Sequence, residues 1–190
     1  MKALEEKILK EGQVLPGNIL KVGNFLNHQL DVDFLMEMGE EIAKLFQNKG
    51  INKIVTIETS GIAIAMAAAA KMHIPVVFAK KNKTSNISSD VYSTMVHSFT
   101  HNADYKVVIS KQFLSSKDVV LIVDDFLAIG NAINGLIEIC EYAGAEVKGI
   151  AIAIEKGFQG GGDKLRAKGY HLESLALIDS MSDNSVEFRK

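Results

Sequence analysis

Twice in this chain a short apolar run breaks off into a turn of small or acidic residues, passes into a helical period and is followed by another apolar run. Lys53-Ile54-Val55-Thr56-Ile57-Glu58 leads through Thr59-Ser60-Gly61 into an alanine-rich helix over 62–72, and after Pro75 a strand covers 76–79. The second run, 118–123, ends in Asp124-Asp125 and leads through Ala128-Ile129-Gly130-Asn131-Ala132 into a helix over 133–142. Gly144 stops that helix, and a strand over 147–154 follows. Strands without polar alternation belong inside a sheet covered on both faces. A strand–helix–strand crossover makes the two strands parallel. Two such units place the chain in the α/β class, a mainly parallel sheet flanked by helices.

The remaining segments are assigned by period and punctuation. Residues 1–12 read as an amphipathic helix with Leu4, Ile8 and Leu9 on one side and Gly12 as the stop. Pro16-Gly17 forces a turn, and 18–31 shows no clear period. Asp33 is a suitable N-cap for a helix over 33–48, with Phe34, Leu35, Met38, Ile42, Leu45 and Phe46 on its apolar face. The polar stretch 80–90 precedes two ribbon arms, 92–101 and 105–112, around a turn near Asn102. A short helix near 164–168 and a strand over 175–178 complete the chain.

At 190 residues the chain is long enough for a single domain that buries about two thirds of its unfolded surface. With 21 Lys+Arg against 23 Asp+Glu the net charge is −2, which argues against a nucleic-acid partner held by bulk charge. The lone Cys140 excludes an internal disulfide and a cysteine-rich zinc site, and its apolar context predicts core packing. The five histidines lack metal-ligand spacing, His97 and His101 falling on a ribbon rather than a helix. Met36, Met38, Met66 and Met72 read as core. No secretory leader and no apolar run of about 18 residues is present, which predicts a cytoplasmic protein without a membrane partner.

Ligands of open α/β sheets bind at the carboxyl ends of the strands. There the loop 128–132 opens a helix, so its backbone N–H groups and the helix dipole suit a phosphate. Asp124 and Asp125 suit sugar hydroxyls or a hydrated cation. The plain alternative is a strand-end turn with a capping Asp. Glu58-Thr59-Ser60-Gly61 forms a second anion-binding turn on the same edge, which suggests one ligand with two phosphate ends. The chain contains no G-x-x-x-x-G-K-[ST], G-x-G-x-x-G or G-x-S-x-G, so a P-loop hydrolase, the usual dinucleotide fingerprint and a hydrolase elbow are all missing.

An apolar strand, two acidic residues and a small-residue loop opening a helix resemble the signature of type I phosphoribosyltransferases. Further matches are Leu15-Pro16-Gly17 with Leu20 and Asn27, Phe126-Leu127-Ala128-x-Gly130-x-Ala132, and Glu155-Lys156-Gly157-Phe158. With these, the chain is similar to the bacterial xanthine branch of that family over essentially its whole length.

The resemblance implies the type I fold, with a core over about 33–155 and a small hood from 14–32 and 156–190. A loop over about 82–104 would close on the site. It further implies a pentosyltransferase that moves the 5-phosphoribosyl group of phosphoribosyl pyrophosphate (PRPP) to xanthine, giving xanthosine 5′-monophosphate in purine salvage. Mg²⁺ would accompany PRPP, and the enzyme would be a homodimer. Asp124 and Asp125 would be the catalytic pair on the ribose, and Ala128, Ile129, Gly130, Asn131 and Ala132 would cradle the 5-phosphate. Glu58, Thr59, Ser60 and Gly61 with Lys80 or Lys81 would hold pyrophosphate, while Leu20, Asn27 and Lys156 would line the xanthine pocket.

The wider family carries hydroxyl residues in the phosphate loop where this chain has Ile129, Gly130, Asn131 and Ala132, so phosphate binding would rest on backbone N–H groups. The hypoxanthine–guanine branch carries an acid where Ala128 stands, which leaves no general base assigned here. Two alternatives remain: an enzyme of this fold that prefers guanine, hypoxanthine or adenine, and a PRPP-sensing purine regulator. The regulator needs a DNA-binding segment. Only about 50 residues with six Lys precede the first main strand.

Overall fold

The computed structural model describes residues 1–81, 90–98, 103–182 and 185–189. Most of the expected closing loop, and His101, fall outside these residues. Among the described residues ten strands and five α-helices follow in the order α1 (Lys2–Glu11), β1 (Gln13–Leu15), β2 (Ile19–Lys21), α2 (Val32–Leu45), β3 (Lys53–Ile57), α3 (Gly61–Met72), β4 (Val76–Lys81), β5 (Val91–Ser98), β6 (Ala103–Ser110), β7 (Val119–Leu127), α4 (Asn131–Ala143), β8 (Glu146–Lys156), α5 (Gly161–Ala167), β9 (Leu172–Ser182) and β10 (Ser185–Phe188).

An eight-stranded sheet runs in the order β10-β9-β8-β7-β3-β4-β6-β5. The five central strands are parallel, and the antiparallel pairs lie toward the edges. β3 passes through α3 to β4 on one side, whereas β7 passes through α4 to β8 on the other. The strand order therefore reverses between β3 and β7, and that reversal opens a crevice at their carboxyl ends.

Alternation along the strands sends side chains to two cores. Ile54, Leu121, Val123 and Ala151 pack with α1, α2 and α3. Val55, Val120, Ile122 and Ile150 pack with α4 and the β5–β6 ribbon, where Cys140 is fully buried. Burial pushes that thiol up to about 12, as expected of a core cysteine.

Several boundaries differ from expectation. The N-cap of α2 is Asp31 rather than Asp33, its side chain accepting from the Phe34 N–H at 3.2 Å, and the helix ends at Leu45. Asp33 occupies the first turn instead, where its charge still complements the dipole. The unclassified 18–31 segment contains β2 and a five-residue π-helical turn, Gly23–Asn27, whose wider period no apolar repeat marks. β7 continues to Leu127, so the two aspartates lie within the strand rather than after it, and β8 extends to Lys156. The short helix begins earlier, at Gly161, and the 175–178 strand is the middle of an eleven-residue strand that pairs with an unforeseen β10. Met66 and Leu9, expected to be buried, are exposed.

α2 and α3 approach closely because Gly39 meets the backbone of Ala67 and Ala68. A Cβ at residue 39 would lie 2.4 Å from the Ala67 carbonyl carbon. Overpacking against backbone costs about 1–3 kcal/mol, more than the roughly 1 kcal/mol that alanine regains over glycine in a helix. Gly39→Ala should therefore lower the urea midpoint of unfolding without changing its slope.

Candidate active site

The loop after β7 is shaped by three contacts. Gly130 has φ 95°, a left-handed conformation that turns the chain into α4, and no side chain caps the first N–H groups of that helix. The Gly161 N–H donates to the Ala128 carbonyl at 3.1 Å, and a Cβ at residue 161 would lie 2.2 Å from that oxygen, so α5 clamps the loop from outside. Asn131 donates its side-chain amide to the His97 carbonyl at 3.0 Å, tying the ribbon to the loop. Asn131 thus spends its side chain on the ribbon, and the loop presents backbone N–H groups to the cleft, the arrangement an anion needs.

That cleft has a volume of about 460 Å³ and is lined by residues 128–133, Phe126, Lys156, the hairpin tip at Gly17 and Asn18, and His97 and Tyr105 from the ribbon. Phe126, His97 and Tyr105 were not foreseen as site residues. Phe126 lies in the signature run without an expected role, and no local signal aims the two ribbon residues at the loop.

The acidic pair stands beside the loop. Asp124 is 5% exposed. Burial, and then the neighbouring charge of Asp125, push its carboxyl well above the usual range, with Lys81 opposing. Its Oδ1 accepts from the Asp125 N–H at 3.0 Å. A Cβ at residue 61 would lie 2.3 Å from Thr56 Oγ1 and 2.8 Å from Asp124 Oδ1, so only glycine lets α3 start here. Asp125 is less buried, and Asn27 approaches its Oδ2 at 3.4 Å.

The 58–61 turn closes the other side of the crevice. The Lys81 N–H donates to Glu58 Oε1 at 2.5 Å, so the Glu58 side chain holds the end of β4 against the turn, and the Glu58–Thr59 peptide is cis. Lys81 Nζ lies 5.3 Å from the centroid of the Tyr105 ring. Strand alternation sends Lys80 to the opposite face. Of the lysine pair, Lys81 is the one beside the acidic residues.

In the hood, Lys156 Nζ donates to the Asn18 carbonyl at 2.9 Å and lies 5.7 Å from the Phe126 ring centroid; burial lowers its pKa. Leu20, 7% exposed, and Asn27 line an adjoining cleft of about 620 Å³ rather than the one that holds Lys156. The expected base-binding trio is therefore divided between two clefts.

Sequence reasoning missed one anchor. Glu155 is fully buried, accepts two hydrogen bonds from Arg166 at 2.9 and 2.7 Å and a third from Ser174 Oγ, and presses against Gly162. It fixes α5, and so the clamp on residue 128, to the end of β8. An acid ending an otherwise apolar strand, with an Arg in the following short helix, was the available signal.

Residues 23–172 match the phosphoribosyl transferase domain. The chain belongs to the phosphoribosyltransferase family. It is 53% identical over 192 residues to a xanthine phosphoribosyltransferase of Bifidobacterium adolescentis, and 55% identical over 190 residues to xanthine phosphoribosyltransferase 1 of Clostridium perfringens, each match covering the whole of both chains. Among solved structures, an adenine phosphoribosyltransferase from Thermoanaerobacter pseudethanolicus superposes with a TM-score of 0.73 at 22% identity, covering 90% of this chain and 98% of the other. That likeness supports the fold, and the full-length relatives bear out the branch of the family that the motifs resemble.

Two outcomes test the anchoring carboxylates. Removing one partner of a buried ion pair costs about 3–5 kcal/mol, so Arg166→Met should lower the denaturation midpoint sharply, as read by chemical unfolding. Asp124 has a folded pKa above its unfolded value. Its contribution to stability is present below the unfolded pKa and is lost as pH rises through the folded pKa. Asp124→Asn should therefore melt higher than the parent at neutral pH, and the gain should vanish toward about pH 3.

Proposed function

We infer that the chain transfers the 5-phosphoribosyl group of PRPP to xanthine, forming xanthosine 5′-monophosphate and pyrophosphate in purine salvage. The observation that carries this reading is a cleft with an uncapped helix start at one end and a half-buried lysine over an aromatic ring at the other, in a chain more than half identical to xanthine enzymes.

In this reading residues 128–132 hold the 5-phosphate through backbone N–H groups, and Asp124 and Asp125 accept from the ribose hydroxyls. Donors supplied by the ribose would favour the ionised form of Asp124, which burial and the Asp125 charge otherwise disfavour. Thr59, Ser60 and Gly61, on a turn held by Glu58, meet the pyrophosphate together with Lys81, and Lys80 supports the strand end. Phe126 stacks on the base, Lys156 exchanges the Asn18 carbonyl for an oxygen of xanthine, and Leu20 and Asn27 close the hood from their adjoining cleft. Lys156 also offsets the negative charge of an acidic, readily deprotonated base, so no protein group need remove its proton. Rate enhancement comes from positioning and from charge placed where the ribosyl centre becomes cationic.

Mg²⁺ fits as a companion of PRPP. Among the described residues no three His, Cys, Asp or Glu side chains gather where an ion could sit, so substrate oxygens and water, with Asp125 nearby, would hold it. Bound there, the ion would offset the charge of the departing pyrophosphate. We further propose a homodimer, the state that the family resemblance implies. We also propose a cytoplasmic setting. Among the described residues no helix is long and apolar enough to cross a membrane.

The test is product formation from PRPP and Mg²⁺ with xanthine, guanine, hypoxanthine or adenine in turn. Xanthine should react fastest, and Asp125→Ala should lose about 10²-fold or more in kcat/KM. A faster reaction with another base overturns the hood assignment. PRPP binding without turnover of any base overturns the reaction.

A further inference from the structure

Asn27 reaches the site from the π-helical turn Gly23–Asn27, a short element outside the main sheet. Its backbone bonds include Leu26 N–H to the Val22 carbonyl at 3.0 Å, Gln29 N–H to Gly23 at 2.7 Å and Asp31 N–H to Phe25 at 3.0 Å. One cation from α1 sits against both the buried ring of this turn and the cap of α2 just beyond it. Lys7 Nζ lies 2.8 Å from Asp31 Oδ2 and 3.2 Å from Glu11 Oε1. It also stands over two rings, 5.4 Å from the Phe25 centroid and 5.0 Å from that of Phe34, which meet edge to face at 6.2 Å. Phe25 is the buried anchor of the turn, and Asp31 caps α2. Lys7 is itself only 18% exposed, so its ion pairs are shielded from solvent more than ordinary surface pairs.

Removing that ammonium would leave the Glu11 and Asp31 carboxylates and the Phe25 and Phe34 ring faces without their shared cation, at the junction of α1, α2 and the turn that aims Asn27. We propose that Lys7 is a positioning residue for base recognition: by holding Phe25 and Asp31 together it fixes the turn that carries Asn27 to the edge of the acidic pair. The proposal rests on the reading of Asn27 as a contact to the purine. Lys7 lines neither of the two clefts, and the phosphate loop is clamped by α5 rather than by α1.

Two measurements on the full chain test this, with K7M, K7Q and K7R compared to the parent. The first, amide hydrogen exchange, needs no substrate. In K7M and K7Q the amides of Leu26, Gln29 and Asp31 should exchange about tenfold faster or more, whereas those of the β3–β7 core keep their protection. The second is the split of steady-state constants: KM for xanthine should rise about tenfold, with KM for PRPP changed by less than about twofold. K7R, which keeps both the charge and the ring contacts, should restore both readouts.

If K7M is too unstable to assay, K7Q, which retains most of the stem, decides. Unchanged exchange in the turn overturns the proposal, as does a loosened turn with unchanged KM for xanthine, or an equal rise in both KM values. A parent chain that turns over no base removes the functional reading and with it the base-recognition role, while the exchange result still shows whether Lys7 orders the turn.

Discussion

The crevice is organised around a carboxyl group that has almost no water to solvate it. Asp124 ends up there because β7 is the middle strand of five parallel ones, with β3 on one side and β8 on the other, and because Gly61 lets α3 begin directly against it. Both features follow from the reversal of strand order. Two crossovers leave the β3–β7 pair in opposite directions, and their turns face each other across the gap. The acidic pair, the 58–61 turn and the 128–132 loop are neighbours for that single topological reason.

The two buried acids among the described residues serve opposite ends. Glu155 has its charge matched within the protein by Arg166 and Ser174, and so acts as a fixed strut between β8 and α5. Asp124 accepts from the Asp125 N–H and has an acidic neighbour where Glu155 has a cation. An acid whose ionised form is disfavoured by burial and a like charge stands to gain from donors that a ligand brings, whereas one matched within the protein lends rigidity. The strut matters to the site because α5 presses on the carbonyl of Ala128.

The legible parts of the fold were those carried by local pattern. Continuous apolar runs marked β3, β4, β7 and β8, and the small-residue turns marked the crevice, because both signals lie within a few adjacent residues. The Asp124-Asp125 pair and the 128–132 loop were found the same way. What could not be read was long-range. The acid at the end of β8 and the Arg of the next short helix hint at a pair without saying that the two meet, and nothing near His97 or Tyr105 says that the ribbon folds back onto α4. The 23–27 turn escaped because a π-helical period leaves no apolar repeat, and the limits of β9 and β10 because their edge positions tolerate polar residues. The hood lay between these extremes. Its residues were named through resemblance, but their division between two clefts required coordinates.

The central position of β7 also bears on how the site comes into being. Its partner β3 lies more than sixty residues earlier in the chain, and its other partner, β8, follows only after α4. A nascent chain that has emerged as far as β4 has the 58–61 turn but not the acidic pair, the phosphate loop or the cover for the open side of β3. Parallel pairing across such a separation is intrinsically slow, since the closure entropy of the intervening segment must be met before any contact rewards it. Until then the apolar flank of β3 is an exposed strand edge. The feature that gives the finished molecule its crevice thus leaves its half-made form with a bare hydrophobic strand edge, the kind of surface that pairs with other chains until its own partner arrives.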